Sequence, residues 1–481
     1  MTRALMLQGT ASGVGKSVLT AGLCRLLARR GVRVAPFKPQ NMSNNAAVTC
    51  DGGEIGRAQA LQALACGLEP HSDMNPVLIK PEADGVAQLI VQGQPFGTLE
   101  ARRFKQDRAP LLPQVLQSFE RLKAQYDLIL VEGAGSPAEP NLRVGDIANM
   151  GFAQAANVPV WLIGDIDRGG VFSALSGTLD LLAPTERDRV QALIINRFRG
   201  EGALLTEALD WLGHKTGKRL AGVVPYVPDL ELPEEDALYR LGATQGLAPG
   251  AALQQVIRIA AVLYPRASNL DDLDPLAGDP QVALSLARTP TDLLGADLIV
   301  LPGSKQVGAD LAWLHDTGMV TALARHLRYG GQVLGICGGL QMLGQAIADP
   351  HGVEHGGAIK GLGWLPVATV MGPTKKYLRV DTLACYPNAL PVRGYEIRYG
   401  DSAADPDLFP FHARSQDGQV WGTYLHGLFD SGQFRAAWLA DRFGIQGGEE
   451  DQTARTLRAL DRLADTLAAS LDPELIAGLM G

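Results

Sequence analysis

The stretch that decides the fold is "RALMLQGTASGVGKSVLTAGLCRLLARR", residues 3–30. The apolar run Ala4–Gln8 predicts a buried strand, and Ser17–Arg30 predicts a helix. Between them lies "GTASGVGKS", residues 9–17. Strand, glycine-rich loop and helix in that order form a phosphate cradle, in which backbone N–H groups wrap the phosphates at a helix start. Gly9, Thr10, Gly13, Gly15, Lys16 and Ser17 are the nucleotide-binding candidates. Lys16 is placed to reach the terminal phosphates, and the Ser17 hydroxyl to ligate Mg²⁺. The spacing departs from G-x-x-x-x-G-K-[ST], because counting back from Gly15 puts Thr10 at the first position.

Outward from this loop the chain alternates strands and helices. Further strands are expected at Val32–Pro36, Leu128–Glu132, Val158–Gly164, Ala192–Asn196 and Leu220–Val224. A helix is expected over Leu111–Gln125. Such alternation implies a parallel sheet covered on both faces. The strand "LILVE" ends in Glu132, and an acid at the carboxyl end of a neighbouring strand is a second Mg²⁺ candidate. Asp51 and Glu54 are weaker candidates for that ion.

Residues 226–254 are acidic and broken by Pro and Gly, which marks a boundary. A second α/β series follows, with strands at Ile257–Leu263, Val282–Leu286, Leu298–Leu301, Val333–Ile336 and Val420–Leu425. We divide the chain into a phosphate-loop domain (1–227), a linker (228–253), a second α/β domain (254–438) and a helical tail (439–481). In the tail Leu457, Leu460, Leu463, Leu467 and Leu471 recur at helical spacing.

The second domain carries "QVLGICGGLQMLG", residues 332–344. It reads as strand, sharp turn and helix, a turn that holds a nucleophile in strained geometry above a sheet. Cys337 is the nucleophile candidate, favoured as thiolate by the helix start. Gly338 and Gly303 are candidates to donate oxyanion-stabilising N–H groups. A cysteine nucleophile needs a base. Of eight histidines, His426 in "VWGTYLHGLF" ends an apolar strand and is the best partner. "HGVEH", residues 351–355, spells a zinc-protease pattern, but that pattern needs a helix and the flanking Pro350, Gly352, Gly356 and Gly357 oppose one.

Composition bounds the class. A chain of 481 residues exceeds one ordinary core. A net charge of −8 disfavours a general nucleic-acid binder. No apolar run reaches the roughly 18 residues a membrane helix needs. The start lacks the pattern of a secretion signal. Five cysteines without a CxxC pair fit a reduced, cytoplasmic protein.

These motifs carry several resemblances. The phosphate loop resembles that of dethiobiotin synthetase and its relatives more than that of the partition ATPases, which carry an extra lysine early in the loop where Thr10 and Ala11 stand here. "GICGGLQMLG" is similar to the elbow of class I glutamine amidotransferases (the Triad type). Most of that class have Glu two residues after the histidine; here Leu428 stands there. That departure implies the cobyrinate-amidating branch, in which a Cys–His pair acts. Glu396 in "GYEIRYG" is a candidate to orient His426. "PFKPQNMSNNA" (36–46), "GEIGRAQALQA" (53–63), "VEGAGSPAEPNL" (131–142), "GDIDRGGVF" (164–172) and "INRFRGE" (195–201) together resemble the cobyric acid synthases of cobalamin biosynthesis.

The resemblance implies a glutamine-dependent ligase that uses ATP and Mg²⁺ to amidate the b, d, e and g carboxylates of adenosylcobyrinic acid a,c-diamide. Each carboxylate would pass through an acyl phosphate, and a protected passage for ammonia between the domains is expected. The expected partners are the corrinoid, glutamine and ATP, with no nucleic acid, no membrane and no cobalt site of the protein's own; a homo-oligomer is left open. The amides of "QNMSNN" are candidates for binding substrate amides or nucleotide. The alternative readings are the sister a,c-diamide synthase, a partition-type ATPase switch, and a synthetase of the cytidine triphosphate kind.

Overall fold

The computed structural model describes residues 3–83, 86–100, 108–228, 230, 232 and 256–480. The chain forms two compact units, one of residues 1–43, 49–232 and 456–481, the other of 44–48 and 233–455. Of the linker expected at 228–253, residues 229, 231 and 233–253 lie outside the described residues.

The first unit is built on six parallel strands: β1 (Arg3–Gly9), β2 (Val34–Phe37), β3 (Leu128–Glu132), β4 (Val160–Asp165), β5 (Val190–Phe198) and β6 (Arg219–Pro225), in the order β6-β5-β4-β1-β3-β2. Their interiors are apolar on both faces, as a doubly covered parallel sheet requires. The chain leaves β1 through residues 10–15, runs down helix α1 (Lys16–Arg29) and re-enters at β2, on the far side of β3. The succession then returns across β1 to β4, so the carboxyl end of β1 is the switch point where such sheets bind ligands. A second, four-stranded sheet of Gln40–Met42, Val77–Ala83, Val86–Val91 and Gln94–Glu100 was not expected. Its strands are short or interrupted by Pro81, Pro95 and Gly97, which hides their period.

The second unit repeats the plan. Strands β7 (Ile257–Val262), β8 (Val282–Ala287), β9 (Leu298–Leu301), β10 (Gln332–Ile336) and β12 (Val420–Thr423) are parallel, and β11 (Ala413–Arg414) closes one edge antiparallel. The order is β8-β7-β9-β10-β12-β11. A long hairpin, Ala368–Leu383 with Pro391–Ser402, also went unread in the sequence.

Residues 439–481, read as one tail, divide between the units. The helix Gly432–Phe443 lies in the second unit, whereas the helix Gln452–Ser470 belongs to the first from Thr456 onward. Its leucines at 460, 463 and 467 are fully buried in the core of the first unit. Leu463 and Leu467 lie against Gly22 of α1, where a Cβ would fall 2.6 Å from Leu467 Cδ1 and 2.7 Å from Leu463 Cγ. Arg25 Nε donates to Asp461 at 2.7 Å along the rim. Among the described residues no helix is long and apolar enough to cross a membrane.

Burial rather than the rim ion pair holds this last helix, since a partly exposed pair is worth about 0–1 kcal/mol. Leu467→Ala is therefore expected to cost about 2–5 kcal/mol, read as a fall in the urea midpoint, while Asp461→Ala should shift it by less than about 1 kcal/mol.

Candidate active sites

In the first unit the loop after β1 turns through Gly13 and Gly15, whose φ values of +73° and +95° favour glycine. Gly9 is closed in as well: a Cβ there would fall 2.5 Å from Val14 Cγ2. Thr10 N donates to Ile163 O of β4 at 2.9 Å, which ties the loop to the sheet. Lys16 folds back along the loop and donates from Nζ to Ala11 O and Gly135 O, both at 2.9 Å. Ser17 Oγ donates to Glu132 Oε1 at 2.6 Å. The six loop candidates and Glu132 thus share one end of one sheet.

Glu132 is fully buried and gathers more than the sequence disclosed. Lys38 Nζ pairs with its Oε1 at 2.6 Å, and Gln62 Nε2 donates to its Oε2 at 2.6 Å. Burial works against its charge, but Lys38, Ser17 and Gln62 outweigh it and hold the carboxyl below its ordinary range. Lys38 was missed; its only signal was a lone cation in the otherwise apolar "VAPFKP" that ends β2. Asp51 and Glu54 do not join this group. Asp51 accepts from Ser72 Oγ at 2.5 Å, and Glu54 is taken by a buried ion pair with Lys80.

Ser17 and Glu132 supply oxygen donors of the kind Mg²⁺ takes, and such sites use one or two protein oxygens beside phosphate and water. Gln8 Oε1 and Gln62 Oε1 are buried without a hydrogen-bond partner among the described residues. Gln62 already donates to Glu132, so its orphaned oxygen adds acceptor capacity beside this pair, which suits a hydrated ion. The amides of "QNMSNN" are partly consumed internally: Asn41 Nδ2 donates to Gln59 in the first unit, and Asn45 Oδ1 accepts from Asn269 N at 2.8 Å in the second.

In the second unit β10 ends at Cys337, which has φ +51° and ψ −105°, a strained conformation for a residue with a side chain. Cys337 N donates to Thr423 O of the adjoining strand region at 2.7 Å, which fixes the turn. The following helix, Gly338–Leu343, packs so closely that a Cβ on Gly339 would fall 2.0 Å from Leu301 O. A Cβ on Gly338 would fall 2.7 Å from Ser304 N, so the Gly303–Ser304 segment runs beside the elbow. Gly338 and Gly303 are where the sequence placed the oxyanion donors.

His426 is buried beside the Cys337 side chain, whose Sγ lies 3.7 Å from Ile397 O. Its Nδ1 lies 2.7 Å from Asp272 Oδ2, and Gly427 N donates to the other oxygen at 2.8 Å. Burial opposes a charge on the ring, but Asp272 and Cys337 outweigh it, and His426 is pushed up to about 10. Tyr395 stacks on the ring, with centroids 5.3 Å apart, and exchanges backbone hydrogen bonds with His426.

A third member therefore exists, and it is not Glu396. The Glu396 carboxylate accepts from Arg398 Nε at 2.7 Å instead. Leu428, where the Glu of other amidotransferases would stand, is buried in the core. Asp272 escaped the sequence reading because it lies 154 residues before the histidine, and "NLDDLD" offers three acids with no spacing rule between them. His351 and His355 sit in a turn whose N–H groups at 353–356 all donate to Asp349, a geometry unlike a zinc-binding helix.

The arrangement puts a thiol, an imidazole and a carboxylate in series, the kinds of group that acyl transfer uses. Among domain families, a CobQ/CobB/MinD/ParA nucleotide-binding domain matches residues 5–239, and a CobB/CobQ-like glutamine amidotransferase domain matches residues 258–434. A cobyric acid synthase of Halorhodospira halophila is 62% identical over 99% of this chain and 98% of its own. The chain belongs to the cobyric acid synthase family. A cobyric acid synthase of Rhodobacter capsulatus is 50% identical over 98% of each chain. As a member of the family the protein is a ligase of the amidotransferase kind.

If Asp272 keeps His426 charged, Asp272→Asn lowers the ring's pKa from about 10. The alkaline limb of glutamine-dependent kcat/KM should then move to lower pH, and kcat should fall roughly 100- to 10,000-fold. A pH profile of glutamate release checks both; Glu396→Gln should leave the limb where it is.

Proposed function

We propose that this protein converts adenosylcobyrinic acid a,c-diamide to adenosylcobyric acid by amidating the b, d, e and g carboxylates with nitrogen from glutamine. The observation that carries this reading is the presence on one chain of two complementary centres. One is a phosphate-type loop with Lys16, Ser17 and Glu132 at a sheet switch point; the other is the Cys337–His426–Asp272 set. The relatives named cobyric acid synthase support the choice of substrate.

At the second centre the Cys337 sulfur adds to the glutamine amide carbon, and the tetrahedral oxyanion is held by N–H groups at Gly338 and Gly303. His426 gives its proton to the departing nitrogen, which leaves as ammonia. A glutamyl thioester remains. The now neutral ring takes a proton from water, which adds to the thioester, and glutamate and the sulfur are released.

At the first centre a substrate carboxylate oxygen attacks the γ-phosphorus of ATP. The bond to the bridging oxygen breaks, and ADP leaves with that electron pair. The resulting acyl phosphate is open to ammonia, which a free carboxylate is not. Ammonia adds to the acyl carbon, inorganic phosphate departs, and a proton is lost to give the amide. Gly9, Thr10, Gly13 and Gly15 shape the cradle, and Lys16 would leave its two carbonyls to meet the phosphates. Mg²⁺ would be held by Ser17 and Glu132 and supplies charge neutralisation when bound. Cobalt enters only as part of the corrinoid substrate. That none of the five cysteines is in a disulfide is in keeping with a cytoplasmic setting.

Because the two chemistries use different residues, Cys337→Ala should abolish glutamine-dependent amidation and leave the ammonia-dependent reaction. Lys16→Ala should abolish both. Product assays with each nitrogen source check this; loss of the ammonia reaction in Cys337→Ala would overturn the two-centre reading.

A further inference from the structure

Three arginines lie near the carboxyl ends of β4 and β5, and two of them are already paired. Arg197 Nη1 binds Asp165 Oδ2 at 2.9 Å, and Arg199 Nε binds Asp167 Oδ1 at 2.7 Å. Arg168 has no ion pair or hydrogen bond to its guanidinium among the described residues, and it is exposed. It is not far from the phosphate loop: its Nη2 lies 3.8 Å from where a Cβ on Gly13 would be.

The loop that bears Arg168 is fastened to the phosphate loop by one side chain. Asn196, on β5, accepts from Ile166 N through its backbone oxygen at 3.1 Å and donates from Nδ2 to Val14 O at 2.9 Å. Asp165 Oδ1 accepts from Asp167 N at 2.9 Å and holds the turn before Arg168. The root of the arginine is thus held at a set distance from Gly13, while its head is left without an acid.

The charges at this strand end show what the head is for. Lys38 is offset by Glu132, and Arg197 and Arg199 by their aspartates. ATP and a substrate carboxylate together bring more negative charge than Lys16 and one Mg²⁺ can balance. A transferring phosphoryl group spreads charge over its equatorial oxygens, and a planar guanidinium meets two such oxygens at once.

We propose that Arg168 is a phosphate-binding residue that closes over the nucleotide and contacts the γ-phosphoryl group as it passes to the substrate carboxylate. This rests on the reading of residues 9–17 as the ATP site. The guanidinium neutralises charge on the group in flight and leaves the bond changes as given above.

The test compares the intact wild-type protein with Arg168→Ala and Arg168→Lys. Ammonia-dependent kcat should fall on the order of 1,000-fold in Arg168→Ala, the low end of what such an arginine contributes. Arg168→Lys should recover only part, because it keeps the charge and loses the fork. Calorimetric titration supplies a reading apart from turnover. ADP affinity should stay within about 3-fold, while affinity for the β,γ-imido ATP analogue should fall by about 10-fold, the weight of one lost charge-assisted contact.

An unchanged kcat, or an equal loss of affinity for ADP and for the analogue in both variants, would overturn the proposal. Wild-type protein that fails to consume ATP with ammonia would instead overturn the reading of the ATP site itself.

Discussion

A carboxylate sealed from water must be met by partners, and in this protein one buried carboxylate lies in each centre: Glu132 at the end of a parallel strand, and Asp272 in the short helical turn Leu270–Leu273. Glu132 draws Lys38, Ser17 and Gln62 onto its two oxygens. Asp272 takes the Nδ1 of His426 and the N–H of Gly427. Burial alone would push Glu132 toward its neutral form. Each is bound to a cation or to donors that its charge fixes in place, and those partners are among the groups the proposed chemistry uses.

The two sheets place the phosphate loop and Cys337 by similar means. In each a strand turns sharply into a helix, after β1 in the first sheet and after β10 in the second, so that side chains and backbone N–H groups collect at the carboxyl ends. The sharp turns differ in how they bear strain. The phosphate loop uses glycines at its positive-φ positions, whereas the elbow places a cysteine at φ +51°. A substituted residue in that region costs about 1–3 kcal/mol. The cost is met by the close packing of Gly338 and Gly339 and by the bond from Cys337 N to Thr423.

Much of this was legible in the sequence because it is local. The parallel strands announce themselves as short apolar runs, and strand, glycine loop and helix are contiguous in "LMLQGTASGVGKS" and "QVLGICGGL". Cys337 directly follows an apolar strand and His426 lies three residues beyond the end of another, and the structure brings them together. What stayed hidden depends on distance along the chain. Asp272 reaches His426 from 154 residues away, and Lys38 meets Glu132 only because β2 lies beside β3. The hairpin of Ala368–Leu383 and Pro391–Ser402 was unreadable for another reason: its largely exposed first strand carries no clean apolar alternation.

The central claim is that one chain joins nitrogen released at Cys337 to carboxylates activated at the ATP site. Mass spectrometry of the products from purified protein, Mg-ATP, glutamine and adenosylcobyrinic acid a,c-diamide tests it most directly. The account predicts four successive losses of about 1 Da, each conversion of a carboxylate to an amide matched by one ADP and one glutamate, as the stoichiometry of acyl-phosphate chemistry requires. ATP hydrolysis without any such loss, or two losses confined to the unamidated corrinoid acid, would contradict it.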